Sequence, residues 1–199
     1  MATTGANSRG LVPVRRQDGS PPSPANRYPT GSNTATLMLG DPVFLDANRK
    51  VQRFTGAIVS ANSPACLGVI VGLLNADGRP LTHVTEKQIQ VSASAYVLVC
   101  DDPDALFEAD CTASASFPAT YGRFCGPAYG TRVTANGMGG AGVGAPVVTA
   151  AGHPFQIYSL APTELDNVGG ANNNFLVRIS NHVFRRSTRL QGPIEAADA

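Results

Sequence analysis

The sequence predicts a mainly β protein, an antiparallel barrel or sandwich with an extended N-terminal arm and little helix. Three observations carry that expectation. Gly (21) and Pro (15) are plentiful in the 199 residues while Lys and Glu are scarce, a balance that favours short strands and turns over helices. Turn residues punctuate most of the chain and leave roughly eight to eleven short strand candidates. Finally, Tyr96–Cys100, an acidic turn and Leu106–Ala109 read as a strand, a tight turn and a second strand. Asp102-Pro103 supplies the turn, because proline presets φ and Asp bonds the backbone ahead of it. The crowded β-branched and aromatic residues of 96–100 suit a strand buried on both faces, and the remaining elements are expected to pack around this unit.

Residues 1–33 contain Pro13, Pro21, Pro22, Pro24 and Pro29. Such a stretch forms neither helix nor central strand, so it reads as an extended arm. The body follows from 34 to 185, and 186–199 form an irregular tail. The body opens with Thr36–Leu39 and Val43–Leu45 about Gly40-Asp41-Pro42, then Val51–Phe54, Ala57–Ser60 and the apolar strand Cys66–Leu74. Asn75–Gly78 is a hairpin loop. Leu81–Gln90 is either a short helix or an edge strand. After the central unit, 112–130 reads as loops packed by their own aromatic side chains. Val133 and Val147-Val148 suggest brief strands, and Phe155–Leu160 a fuller one. Asn167–Asn174 is a polar, glycine-rich loop. Phe175–Arg185 reads as a half-buried strand, with Phe175, Val177, Ile179 and Val183 on one face and Arg178, Ser180, His182 and Phe184 on the other.

Charge is spread unevenly. The chain has 15 basic and 14 acidic residues, and every basic residue except Lys50 and Lys87 is Arg. Residues 1–33 carry net +3 and residues 34–182 net −3. A basic arm and an acidic body can dock on each other or on neighbours with matching patches, and arginine suits interfaces better than lysine. The near-neutral total argues against nucleic acid as a direct partner. Residues 1–10 lack an apolar segment of the secretory kind. Ala65–Leu74 is half the length of a membrane span. The expectation is a soluble chain made in a cytoplasm. Cys66, Cys100, Cys111 and Cys125 show no metal-ligand spacing and read as reduced core thiols, with a Cys111–Cys125 bridge as the alternative.

Candidate chemistry is sparse. Asp101, Asp102, Asp104 and Glu108 invite a calcium or paired-carboxylate reading, but a calcium loop needs staggered ligands and a glycine at its bend, and a solvated turn fits better. Gly137–Gly142 matches G-x-G-x-x-G, and Glu164 follows at a suitable distance. A dinucleotide loop must open a helix, whereas Ala145–Thr149 is strand-like, so a flexible loop is expected. His83, His153 and His182 have no acid or cysteine at a recognisable offset and read as turn or surface residues. No catalytic residue, metal ligand or cofactor is expected, and the chain does not read as an enzyme.

Four segments in order, GDPVFL (Gly40–Leu45), LGVIVGL (Leu67–Leu73), AYVLVCDDPDALFEA (Ala95–Ala109) and FLVRISNHVFR (Phe175–Arg185), resemble the capsid decoration, or cement, proteins of tailed bacteriophages, especially podovirus heads. The resemblance implies a non-enzymatic structural protein of the virion, made in the host cytoplasm and clamped on the outer surface of an icosahedral shell. The implied partners are the major capsid protein and further copies of the chain, as a homotrimer, with no membrane and no direct nucleic acid. On this reading the arm becomes ordered against other subunits, the alternative being an arm folded onto its own domain. Candidate partner-binding residues are Arg9, Leu11, Val12, Val14, Arg15, Arg16, Arg27 and Tyr28, with Arg185, Arg186 and Arg189 as a second group. A competing function is a carbohydrate- or receptor-binding β-module on the virion surface, using Tyr121, Phe124 and Tyr129 to stack on sugars.

Overall fold

The computed structural model describes residues 10–31, 34–54, 65–81, 88–111, 119–129, 139–148, 153–161 and 173–184. Among them the chain is all β, with no helix and twelve strands. These are β1 (Val12–Arg16), β2 (Asn26–Pro29), β3 (Pro42–Leu45), β4 (Val51–Arg53), β5 (Gly68–Leu74) and β6 (Tyr96–Cys100), followed by β7 (Ala105–Asp110), β8 (Phe124–Cys125), β9 (Pro127–Tyr129), β10 (Ala141–Val143), β11 (Phe155–Leu160) and β12 (Asn174–Ile179). Two five-stranded antiparallel sheets, ordered β1-β7-β12-β11-β8 and β2-β6-β5-β3-β4, pack as a sandwich, with β9 and β10 as a small third pair.

Side-chain alternation fixes where the core lies. Phe107, Phe155, Ile157, Phe175, Val177 and Ile179 of the first sheet meet Phe54, Val69 and Cys100 of the second in one buried cluster. The strand neighbours Ile70, Val97 and Val99 belong to a different cluster with Leu37, Val43, Val51 and Ile89. That second cluster is roofed by the chain on either side of Leu37 and Ile89, which exchange backbone hydrogen bonds of 2.9 Å. Between the two, β6 alternates: Val97 and Val99 are buried while Tyr96 and Leu98 are half-buried. The expected burial on both faces therefore holds only at Cys100, where β6 meets the inter-sheet core. All four cysteines are buried free thiols.

Residues 10–31 do not stand apart as an arm. They form the outermost strand of each sheet: β1 pairs with β7, and β2 with β6. The physical reason is local. An edge strand needs only one row of its backbone groups paired and so tolerates Pro13 and Pro29, while the unfilled edges of β6 and β7 have donors and acceptors to satisfy. Of the two readings left open by the sequence, folding onto the chain's own domain is the one seen for residues 10–31.

Two further expectations change. The strand read as Phe175–Arg185 ends at Ile179, and Ser180 and Asn181 bend the chain. The alternation is thereby reset: His182 is 3% exposed and bridges Cys66, while Val183 and Phe184 face outward at 39% and 55%. The glycine-rich segment is packed where described, with Gly139–Val143 buried and Ala141–Val143 paired to β9. Gly139 donates to the Leu39 carbonyl at 2.8 Å, and a Cβ there would lie 2.1 Å from Asp41 Oδ1, so close approach requires glycine. Of the two readings of Leu81–Gln90, Ile89 fits the edge strand, since it bridges Leu37. The candidates Ala57–Ser60 and Val133, with His83 and Glu164, lie outside the described residues.

Candidate functional site

The feature that most organises side-chain chemistry is the crossing between sheets. β6 passes to β7 through residues 101–104, and β1 passes to β2 through 17–25. The two connections run side by side, so the unit 96–110 is lined along much of its length by 12–29, from Val12 opposite Glu108 to Pro29 opposite Tyr96. Three carboxylates from the inner connection meet the basic and amide groups of the outer one.

Asp102 is the centre of this crossing. Its Oδ1 accepts from the Asp104 backbone N–H at 2.9 Å, closing the turn, and its Oδ2 accepts from the Ser23 backbone N–H at 2.9 Å. Arg16 Nε lies 3.1 Å from Oδ2, with the Asp102 side chain 1% exposed. That contact lacks the alignment of a hydrogen bond and is ionic. Arg16 also reaches Asp104 at 3.6 Å, and Gln17 N–H donates to the Asp104 carbonyl at 3.0 Å. Burial pushes the Asp102 carboxyl up, but the hydrogen bonds from Ser23 and Asp104, with Arg16 beside it, outweigh burial and hold it below the ordinary value.

Asp101 serves β2. Both of its oxygens accept from Asn26 Nδ2 at 3.0 Å, and Tyr28 Oη donates to Oδ2. Burial, followed by the Asp101 carboxylate, raises the Tyr28 hydroxyl pKa above its usual value. The Arg27 guanidinium stacks 3.6 Å above the Tyr96 ring. Asp101 and Asp102 are 6% and 4% exposed. At Asp101 and Asp102 the solvated turn expected from the sequence is therefore a buried anchor, because carboxylates leave water when donors replace it, while the Asp104 side chain stays 47% exposed.

Several candidate partner-binding residues are thus already engaged within the chain. Leu11 is 1% exposed and joins the inter-sheet core. Arg16 and Tyr28 face the carboxylates and Arg27 lies on Tyr96. Arg15 is half-buried opposite Leu106. Val12 and Val14 do present side chains outward, at 43% and 38% exposure. Arg9, Arg185, Arg186 and Arg189 lie outside the described residues. The three aromatics considered as a sugar platform are not equivalent: Tyr121 is 63% exposed, Phe124 is half-buried in β8, and Tyr129 lies under the Arg53 guanidinium at 4.5 Å and donates to the Phe54 carbonyl.

Sequence reasoning singled out Asp101, Asp102 and Asp104 but read them as a solvated turn, and it missed Ser23 and Asn26 as their donors. The signal was present in the opposite net charges of residues 1–33 and 34–182. Among the described residues no three His, Cys, Asp or Glu side chains converge as metal ligands, and no helix there is long and apolar enough to cross a membrane. Comparison with family models, curated proteins and solved structures returned no match.

Proposed function

We propose that this chain is a non-enzymatic virion protein that decorates the outside of an icosahedral phage capsid and bridges subunits of the major capsid protein. The observation that carries the reading is the ordered set of four segments resembling decoration proteins. These segments fall on β3, β5, the β6–β7 unit and β12, which contribute to both sheets of the frame. A sandwich tied together across its sheets suits a part that must hold its shape while loaded.

In this proposal the protein acts by linkage. A ligand that binds the assembled shell and not free subunits stabilises the shell, by about 2.7 kcal/mol at a free concentration one hundred times Kd. Homotrimers would multiply weak contacts into avidity. Val12 and Val14 on the outer strand β1 are the described candidates for contact, joined by Arg9, Arg185, Arg186 and Arg189.

Adding purified protein to undecorated capsids tests the proposal. Saturable binding and a higher temperature of capsid rupture are expected. Absence of both, with the protein shown to be folded, would refute it.

A further inference from the structure

We propose that residues 10–31 detach and re-seat as one unit, a strap whose catch is Asp102 against Arg16 and Ser23. Release bares the outer edges of β6 and β7 together while the rest of the sandwich stays folded.

The topology makes this separable. β1 and β2 are the outermost strands of their sheets, so lifting them leaves the ladders β7-β12-β11-β8 and β6-β5-β3-β4 unbroken. The strap contributes little to the core: Leu11 is its one fully buried apolar side chain, β2 is mostly exposed and Tyr28 is half-buried. Segments with few buried apolar contacts and exposed backbone bonds open at lower free energy than the core. Besides the backbone ladders of β1 with β7 and β2 with β6, the side-chain bonds that hold the strap are mostly polar and gathered at its middle, where Asp101, Asp102 and Asp104 face Asn26, Tyr28, Ser23 and Arg16.

The two strands act together because they share that catch. Between them, Arg16 N–H donates to the Ser20 carbonyl at 2.7 Å and Ser20 Oγ donates to Asp18 at 2.6 Å, closing a local turn before Pro21, Pro22 and Pro24. Stiffness carried by these prolines couples β1 to β2. At the far end Thr30 Oγ1 donates to the Ala93 carbonyl and accepts from the Ala95 N–H. Gly31 follows at φ +120°, a conformation that favours glycine and gives the unit its pivot.

Amide hydrogen exchange on the full chain, read by mass spectrometry, tests the inference with wild type, Asp102→Asn and Arg16→Gln. Arg16→Gln keeps the carboxylate that closes the turn, so it remains informative if Asp102→Asn misfolds. In either variant, amides of β1 and β2 and those of β6 and β7 that face them should exchange about tenfold faster or more. Amides of β11 and β12 should keep the wild-type rate. Equal acceleration in β11 and β12, acceleration of β1 without β2, or no change in either would overturn the proposal.

Discussion

Asp102 lies almost out of water yet stays ionised, because two backbone N–H groups and a guanidinium replace the solvent it loses. Its depressed pKa has a definite consequence for stability. A carboxyl more acidic in the folded than in the unfolded chain stabilises the fold fully above its unfolded value, near 3.8, and loses that contribution as pH falls through the lower folded value. Asp102→Asn should therefore cost about 1–3 kcal/mol at neutral pH. Its thermal unfolding curve should converge on wild type toward pH 2, and a constant gap between the two across the acid range would contradict the assignment. The chemical type of this residue was readable from D-D-P-D, as was the turn that Asp102 caps. Its burial was not, since that depends on Arg16 and Ser23, which approach through sheet pairing from some eighty positions away.

At the scale of the element, β12 shows both the strength and the limit of reading period two. Phe175, Val177 and Ile179 point into the core as alternation requires, opposite Phe107 and its neighbours on β7. Leu176 is buried as well, at 1% exposure, so the element is less one-sided than its pattern suggests. Beyond Ile179 the bend at Ser180 and Asn181 turns the chain, and the faces of His182, Val183 and Phe184 follow the new direction. Two phenylalanines therefore carry opposite expectations. Phe107→Ala should destabilise by about 3–5 kcal/mol, whereas Phe184→Ala should change stability by no more than about 0.5 kcal/mol. Urea denaturation of both variants checks this, and comparable losses would place Phe184 in the core. No local rule marks where the alternation stops, because Ser and Asn serve in strands as well as bends.

For the whole molecule, the sandwich closes because β6 and β7 belong to different sheets and residues 10–31 cross beside them. The cysteines report on that closure. Cys66 is fully shielded and burial pushes its thiol up to about 12, and burial raises Cys100 and Cys125 too. All four thiols are buried and a thiolate is the reactive form, so they should resist a disulfide reagent in the native protein and react together on unfolding. A thiol titration with and without denaturant measures this; fast reaction of any of the four in native buffer would show that the core is open there. By itself the sequence determined the β class, the central strand–turn–strand unit and the hairpin loop at Asn75–Gly78. Those are consequences of composition, period and turn chemistry, all of which act over a few residues. Only the tertiary structure decided that residues 10–31 complete both sheets, that the acidic turn is a buried anchor and that Gly139 packs against Asp41. Each of these depends on which distant segment fills an edge or replaces water around a charge, and pairing between segments far apart in the chain leaves no local signature.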